Sequence, residues 1–549
     1  MTLWHDLRPG RFTVFAICLC AAIGLGIGVW LTGGQSLLLL GLLAVAAALT
    51  ALGVHDLMQT RHAILRNYPV VGHLRFLFEG IRPEMRQYFF EAEQDGAPFP
   101  RDIRAIVYQR AKRELDKRPF GTQIDVYRPA YEWLHHSMAP RPVARESQRV
   151  RIGGPDCAAP YLASLLNISA MSYGSLSANA IRALNEGARL GGFAHDTGEG
   201  GVSPYHRERG GDLIWEIGSG YFGCRRRDGS FCPDAFAERA ADPQIKMIEV
   251  KLSQGAKPGH GGVLPGAKVT AEIAAIRGVE AGVDCVSPAS HSAFSTPTEL
   301  IRFIGELRRL CGGKPTGFKL CIGHPWEFLA IVKAMLETGE APDFIVIDGK
   351  EGGTGAAPLE FMDHLGMPLR DGLNFAHNAL VGANVRHLVR LGASGKIATA
   401  FDMARAMALG ADWCNSARAF MFAVGCIQAQ QCHTDACPTG VATQNPRRQR
   451  AIVPADKAAR VASFHRETLH ALAELVAAAG LDHPSELRPH HLMRRGAAGE
   501  VETFAELYPS LSPGELLSGG GGARFERNWA LARSDSFKPS GEVLAHAAE

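Results

Sequence analysis

From residue 168 onward, short apolar runs alternate with stretches of helical period, and each run stops at a glycine, a serine or another polar residue. This alternation constrains the fold more than any other feature. A strand, a crossover helix and another strand pack as a parallel sheet with helices outside it. The runs at 167–170, 192–195, 246–252, 284–287, 317–321, 344–347, 389–393 and 412–414 read as strands. Helices are expected between them, for example at 178–190, 269–281, 298–310 and 325–336, and Thr399 reads as the cap of a further one. Eight strands with eight crossovers in roughly 260 residues predict an α/β chain closed as a (βα)8 TIM barrel. The alternative, a doubly wound open sheet, would lead one to expect an early Gly-x-Gly-x-x-Gly turn, which this chain does not have.

Two uncharged apolar runs, 12–31 and 37–54, precede the barrel pattern. Each approaches the ~20 residues that cross a bilayer as a helix. Gly33 and Gly34 lie between them and suit a tight hairpin. Arg8 and Arg11 stand before the pair, Arg61 and Arg66 after it, and no basic residue lies in the turn. The positive-inside rule then puts both ends, and the catalytic domain, in the cytoplasm, with a two-pass hairpin over 1–60 in the inner membrane. A cleaved signal peptide is disfavoured by two consecutive spans without a clear cleavage site. A buried hairpin is disfavoured because the runs are apolar on all sides.

The remaining organisation follows from period and composition. Residues 61–150 read as a helical connector, with 84–117 helical in period and Tyr88, Phe89 and Phe90 supplying a packing face. The barrel unit is set at 151–450. Residues 451–549 read as helical flanking segments, a cap with a helix near 455–479 and then a mobile tail. Basic and acidic residues nearly balance, 58 against 55 in 549, and no basic run resembles a nucleic-acid footprint.

Cys426, Cys432 and Cys437 lie five and four residues apart, and Pro438 follows the last. The gaps are too wide for a two-residue zinc knuckle. Grouped thiolates followed by proline suit an iron–sulfur cluster, and three ligands suggest the three-iron form. Zinc with an outside ligand such as His433 is the alternative, and the other nine cysteines read as buried small hydrophobes.

Barrel active sites form where the strands end. There the chain places the glycine-rich loop 348–358, then Ser394, Gly395 and Lys396, then Asn415, Ser416 and Ala417. Glycines let backbone N–H groups approach a phosphate, and the last two loops match the usual phosphate corner of such barrels. Lys319, set among apolar neighbours, could face a reduced flavin ring or be ion-paired to a barrel carboxylate. Lys257 and Arg277 could clamp carboxylates, and Glu199 could handle a proton or an ammonium group.

The stretches HDTGEGG (195–201), SQGAKPGHGG (253–262), EGGTGAAP (351–358) and CIQAQQCHTDACPTGVATQNP (426–446) resemble the synthase domain of glutamate synthases over about 168–446. The resemblance implies FMN and a [3Fe–4S] cluster, with Cys426, Cys432 and Cys437 as cluster ligands. It implies flavin contacts at Met171, Ser172, Gln254 and Lys319. A phosphate grip is implied at Gly352, Gly353, Thr354, Gly355, Ser394, Gly395, Lys396, Asn415, Ser416 and Ala417. Glu199, Lys257 and Arg277 take the places of the 2-oxoglutarate and imine pocket. Three departures stand out. The apolar pair occupies the place of the amidotransferase domain, Val263 stands at a glutamine position, and Ser394 and Lys396 replace Asp and Gly. The expected reaction is therefore reductive amination of 2-oxoglutarate to glutamate. Ammonia would come from outside or from a partner, and electrons from a ferredoxin or reductase subunit. Amine or 2-hydroxy acid oxidation, amino-group transfer on another substrate, and a non-catalytic membrane redox module are the other readings.

Overall fold

A computed structural model describes residues 10–144 and 149–541; Arg8 and residues 542–549 of the expected tail lie outside the described residues. The chain divides into two units, 1–101 and 102–549, so the helical segment that begins near residue 62 is shared between them.

In the first unit, helices Thr13–Leu31 and Leu37–Met58 run for 19 and 22 residues and pack on each other. Both are long and apolar enough to cross a bilayer. Gly33 and Gly34 turn the chain at φ +60° and +76°, values that L side chains rarely adopt. Ser36 caps the second helix through its hydroxyl. Helices Ala63–Asn67 and Gly72–Met85 follow, and a π-helical turn spans Arg86–Phe90. Tyr88, Phe89 and Phe90, expected to pack inward, are exposed.

The second unit is built on eight parallel strands. They are β1 (Leu166–Ile168), β2 (His195–Asp196), β3 (Leu213–Ile217), β4 (Ile245–Lys251), β5 (Thr316–Leu320), β6 (Phe344–Asp348), β7 (Arg390–Ser394) and β8 (Trp413–Ser416). Each pairs with the next, and β8 returns to β1, closing the barrel. β3 has no counterpart among the expected strands. The run at 284–287, expected as the fourth strand, is not in the barrel. Its Cys285–Val286 pairs antiparallel with Val263–Leu264 in a separate ribbon. The difference is physical. A barrel strand is covered on both faces, and all five residues of β3 are buried, whereas Val286 faces solvent.

The helices at 178–191, 297–310, 325–338 and 400–408 fall where the period placed them. Thr399 caps the last, its hydroxyl accepting from the Asp402 N–H while the Asp402 carboxylate accepts in return. Pro454–Ala478 packs along Ala178–Gly191, with Gly187 beneath Val461 where any Cβ would overlap. The C-terminal region is more ordered than a tail. Leu492–Arg495 pairs with both Val501–Thr503 and Glu132–Leu134 in a three-stranded antiparallel sheet. Helix Gly522–Leu531 packs on Pro325–Thr338.

Inside the barrel, Ala194, Ile214, Met247, Phe344, Val346 and Trp413 form an apolar floor at the N-terminal strand ends. Ile152 and Ala163, from the ribbon Arg149–Ile152/Tyr161–Ser164, belong to the same cluster and close it from below.

Candidate active site

Strand alternation dictates what stands above this floor. Two positions beyond Ala194, Ile214, Met247 and Val346 on the same faces come Asp196, Glu216, Glu249 and Asp348. All are buried. Lys319 of β5 enters this layer. Its Nζ lies 3.0 Å from Glu249 and 3.8 Å from Asp196, and it donates to Glu216. Lys319 is thus ion-paired to barrel carboxylates, one of the two arrangements expected for it. Burial alone would lower the Lys319 ammonium, but Glu216, Glu249 and Asp196 together raise it well above its ordinary value. Burial pushes the Asp196 carboxyl well up, with Glu216 adding to the effect. Burial likewise raises Glu249 to about 7 against the pull of Lys319. Several carboxylates thus share one fixed cation, and the layer holds protons more readily than free carboxylates would.

One step further up β4, Lys251 points the same way as Glu249. Its ammonium lies 2.9 Å from Glu199 Oε1. Burial would raise Glu199, but Lys251 first, then Lys257 and Arg277, outweigh it and hold the carboxyl below its ordinary value. The three cations expected and unexpected therefore converge on one carboxylate. Gly218 and Gly262 make room for it: a Cβ on Gly218 would stand 2.6 Å from Glu199 Oε2, and one on Gly262 would overlap the carboxylate. Lys257 is buried, and burial lowers its ammonium. Arg277 is buried too, its guanidinium donating to the Tyr173 carbonyl at 3.3 Å and lying over the Phe222 ring.

Met171 and Ser172 follow β1. The Met171 N–H donates to the Asp196 carbonyl at 3.1 Å, and the Ser172 hydroxyl to Ser175. Gln254 lies half-buried in the turn after β4, where the next residue's N–H donates to Asp348 Oδ2 at 2.7 Å.

The glycine-rich loops meet after β6, β7 and β8. The Gly349 N–H donates to the Ser394 carbonyl at 2.8 Å, and Gly352 N–H returns to the Gly349 carbonyl. Gly395 takes φ +139° and Lys396 φ +52°. Arg418, first residue of helix Arg418–Val424, donates to the Glu351 carbonyl. A Cβ on Gly353 would reach 2.7 Å from Arg418 Nε. Burial lowers the Arg418 guanidinium to about 10. Thr354 and Gly355 complete this loop; Asn415 and Ser416 are buried on β8, with Ala417 just before the helix, at a position where no side chain caps it. Close backbone, a guanidinium and the exposed Lys396 suit an anionic group such as a phosphate.

The cysteine loop follows the same helix. Cys426, Cys432 and Cys437 form no disulfide, and burial drives the Cys426 thiol to about 12, with the charges of Cys432 and Cys437 adding to the rise. Burial would raise Cys437 as well, but N–H groups of Ala442, Thr439 and Val441 and the Thr439 hydroxyl bring it below its ordinary value. Buried Lys268 donates to the carbonyls of Ser175 (2.7 Å), Cys432 (3.3 Å) and Ala442 (3.4 Å). The Gln444 amide donates to the carbonyls of Gly174 and Leu176, binding the loop to the segment after β1. Three mutually interacting thiols beside N–H donors and a buried ammonium fit a thiolate-bound cluster.

Sequence reasoning missed Asp196, Glu216, Glu249, Lys251, Lys268, Asp348 and Arg418 as site residues. Glu249 and Lys251 carried a signal, since charges two apart on a buried strand share one face.

The family model for the conserved region in glutamate synthase matches residues 123–482. The glutamate synthase large subunit-like protein YerD of Bacillus subtilis (strain 168) is 38% identical over 507 residues, covering 84% of this chain and 96% of that one. The archaeal-type glutamate synthase [NADPH] of Thermotoga neapolitana is 35% identical over 60% of this chain and 62% of its own. The archaeal glutamate synthase [NADPH] of Methanocaldococcus jannaschii is 36% identical over 60% of this chain and 61% of its own. This chain thus spans nearly the whole B. subtilis protein but under two thirds of the two NADPH enzymes. With barrel and site as described, the chain belongs to the glutamate synthase family.

Proposed function

We propose that this member of the family, a group of oxidoreductases acting on CH–NH2 donors, makes glutamate from 2-oxoglutarate through 2-iminoglutarate, using FMN and a [3Fe–4S] cluster. The observation that carries the reading is the convergence of Lys251, Lys257 and Arg277 on Glu199 at the barrel mouth. A dicarboxylate needs two cationic anchors, and its imine nitrogen needs a carboxylate nearby. Arg277 and Lys257 hold the two carboxylates. Glu199 pairs with the ammonium or imine nitrogen and moves its proton. Gly395, Lys396 and Arg418 hold the FMN phosphate, and Cys426, Cys432 and Cys437 hold the cluster. Held by these residues, the cluster would pass single electrons from a ferredoxin or reductase to FMN, and the reduced flavin would supply hydride to the imine carbon. Ammonia arrives free or from a partner. The two apolar helices anchor the enzyme in the membrane with its catalytic unit in the cytoplasm.

The test is turnover of detergent-purified protein with 2-oxoglutarate, ammonium and reduced ferredoxin. Glutamate formation, with a flavin spectrum and a three-iron paramagnetic signal after oxidation, supports the reading. A protein that stays colourless and iron-free after reconstitution overturns it.

One observation favours a second reading. Val263 is half-buried in the short ribbon, next to the glycine that packs on Glu199. An apolar contact there suits a different amine or a 2-hydroxy acid. Oxidation of such a substrate without glutamate formation would select it.

A further inference from the structure

Helix Gly72–Met85 and the turn Arg86–Phe90 carry an apolar stripe that the other described residues of the first unit leave uncovered. Leu74, Leu77, Phe78, Ile81 and Met85 fall at i, i+3, i+4, i+7 and i+11, the spacing of one helix face. In a soluble protein such a face turns into a core. Here every member is exposed, Phe78 at 62%, and Tyr88 and Phe89 prolong the exposed surface at 54% and 74%. This is a contiguous patch of large side chains rather than scattered single ones.

Charge is arranged to match. Successive residues turn by about 100° around a helix, which sets Arg75, Arg82 and Arg86 along one flank of the stripe. Arg75 is paired with Glu79 at 3.0 Å on the polar side. Long basic side chains beside an apolar stripe keep their heads in water while their stems lie on hydrocarbon.

The helix is also fixed in place. Asp56, buried in the last turn of the second apolar helix, accepts from the Val70 N–H at 2.9 Å and lies 2.9 Å from His73 Nε2. Gly72 sits against Leu65, where a Cβ would stand 3.0 Å from its methyl. The stripe therefore begins at the level where the apolar hairpin ends.

We propose that residues 72–90 lie in the plane of the membrane surface, with the stripe sunk among lipid acyl chains and the three arginines in the headgroup layer. The hairpin crosses the bilayer, and this second element rests on it. The inference depends on the membrane reading of the hairpin, so the experiment separates the two.

Full-length protein carrying a photoreactive benzoylphenylalanine at one position is reconstituted in phosphatidylethanolamine–phosphatidylglycerol vesicles and irradiated. Adducts are identified by mass. Positions 77, 78 and 81 should give lipid adducts at least ten times more often than position 79 on the polar face, and position 23 in the hairpin should give them as well. Lipid adducts at position 23 with none at 77, 78 and 81 overturn this inference and leave the anchor standing. Absence at all four overturns both. Adducts joining 77 or 78 to a second copy of the chain overturn it in favour of self-association.

Discussion

The Lys251 ammonium stands 2.9 Å from the Glu199 carboxylate, and the lysine comes from β4 while the glutamate comes from the loop after β2. The pair therefore ties the end of β4 to the loop after β2 at the barrel mouth, beneath the proposed substrate. Truncating one partner of a buried, hydrogen-bonded charge pair costs about 2–5 kcal/mol. Lys251→Met should lose stability of that order at neutral pH. Because Glu199 is held below its ordinary 4.5, its contribution is present above that pH and is lost as pH falls through the lowered value. The gap between wild type and variant, read by chemical denaturation, should narrow in acid. A gap that stays constant across pH would remove the ion pair as its cause.

Glu249 predicts the opposite sign. Burial raises its carboxyl from 4.5 to about 7, so the folded state binds a proton more tightly than the unfolded one. Its favourable contribution is full below 4.5 and declines as pH rises to about 7. Glu249→Gln should flatten that part of the stability profile. It should also remove an infrared band of protonated carboxyl seen in the wild type near neutrality. An unchanged profile and band would show that Glu249 ionises as an ordinary carboxylate.

Gly395→Ala probes the proposed phosphate grip. A φ of +139° strains any residue with a Cβ by about 1–3 kcal/mol. If the loop relaxes to relieve that strain, flavin affinity should drop roughly 5- to 150-fold. Equilibrium dialysis of FMN against the apoprotein measures it, and an unaltered affinity would move the phosphate elsewhere.

Lys268→Met takes a charged donor from three carbonyls around the cysteine loop. Hydrogen bonds to a charged group are worth about 1.5–3 kcal/mol, so opening of residues 426–445 should become roughly 10- to 150-fold more frequent. Hydrogen exchange reads this directly. Protection equal to wild type would mean that the loop is held by Gln444 and Asp435 instead.

The barrel was legible because most of its strands are uninterrupted apolar runs separated by helices with caps and glycine stops. β3 was hidden by Glu216, a carboxylate in the middle of a fully buried strand, between Gly211 and Gly218. Without β3 the sequence could not show Glu216, 103 residues away, as one of the partners of Lys319. The run at 284–287 looked like a strand and is one, but sequence carries no sign of whether a two-residue strand is covered on one face or two. Lys257 and Glu199 drew notice because they sit in glycine-rich loops, and Arg277 because it stands on the helix that follows one of them. Lys251 and Lys268 did not, because each stands among apolar or unremarkable neighbours and gains its meaning from partners across the fold. Tyr88, Phe89 and Phe90 were read as a packing face from composition, and only the three-dimensional arrangement shows them facing outward.

Ile152 and Ala163 stop the barrel at its base. A vessel sealed at one end has a single doorway. On the proposed reaction, incoming keto acid, departing amino acid and any proton exchanged by the carboxylate layer would pass the same rim, so each turnover would have to empty the chamber before the next guest is admitted.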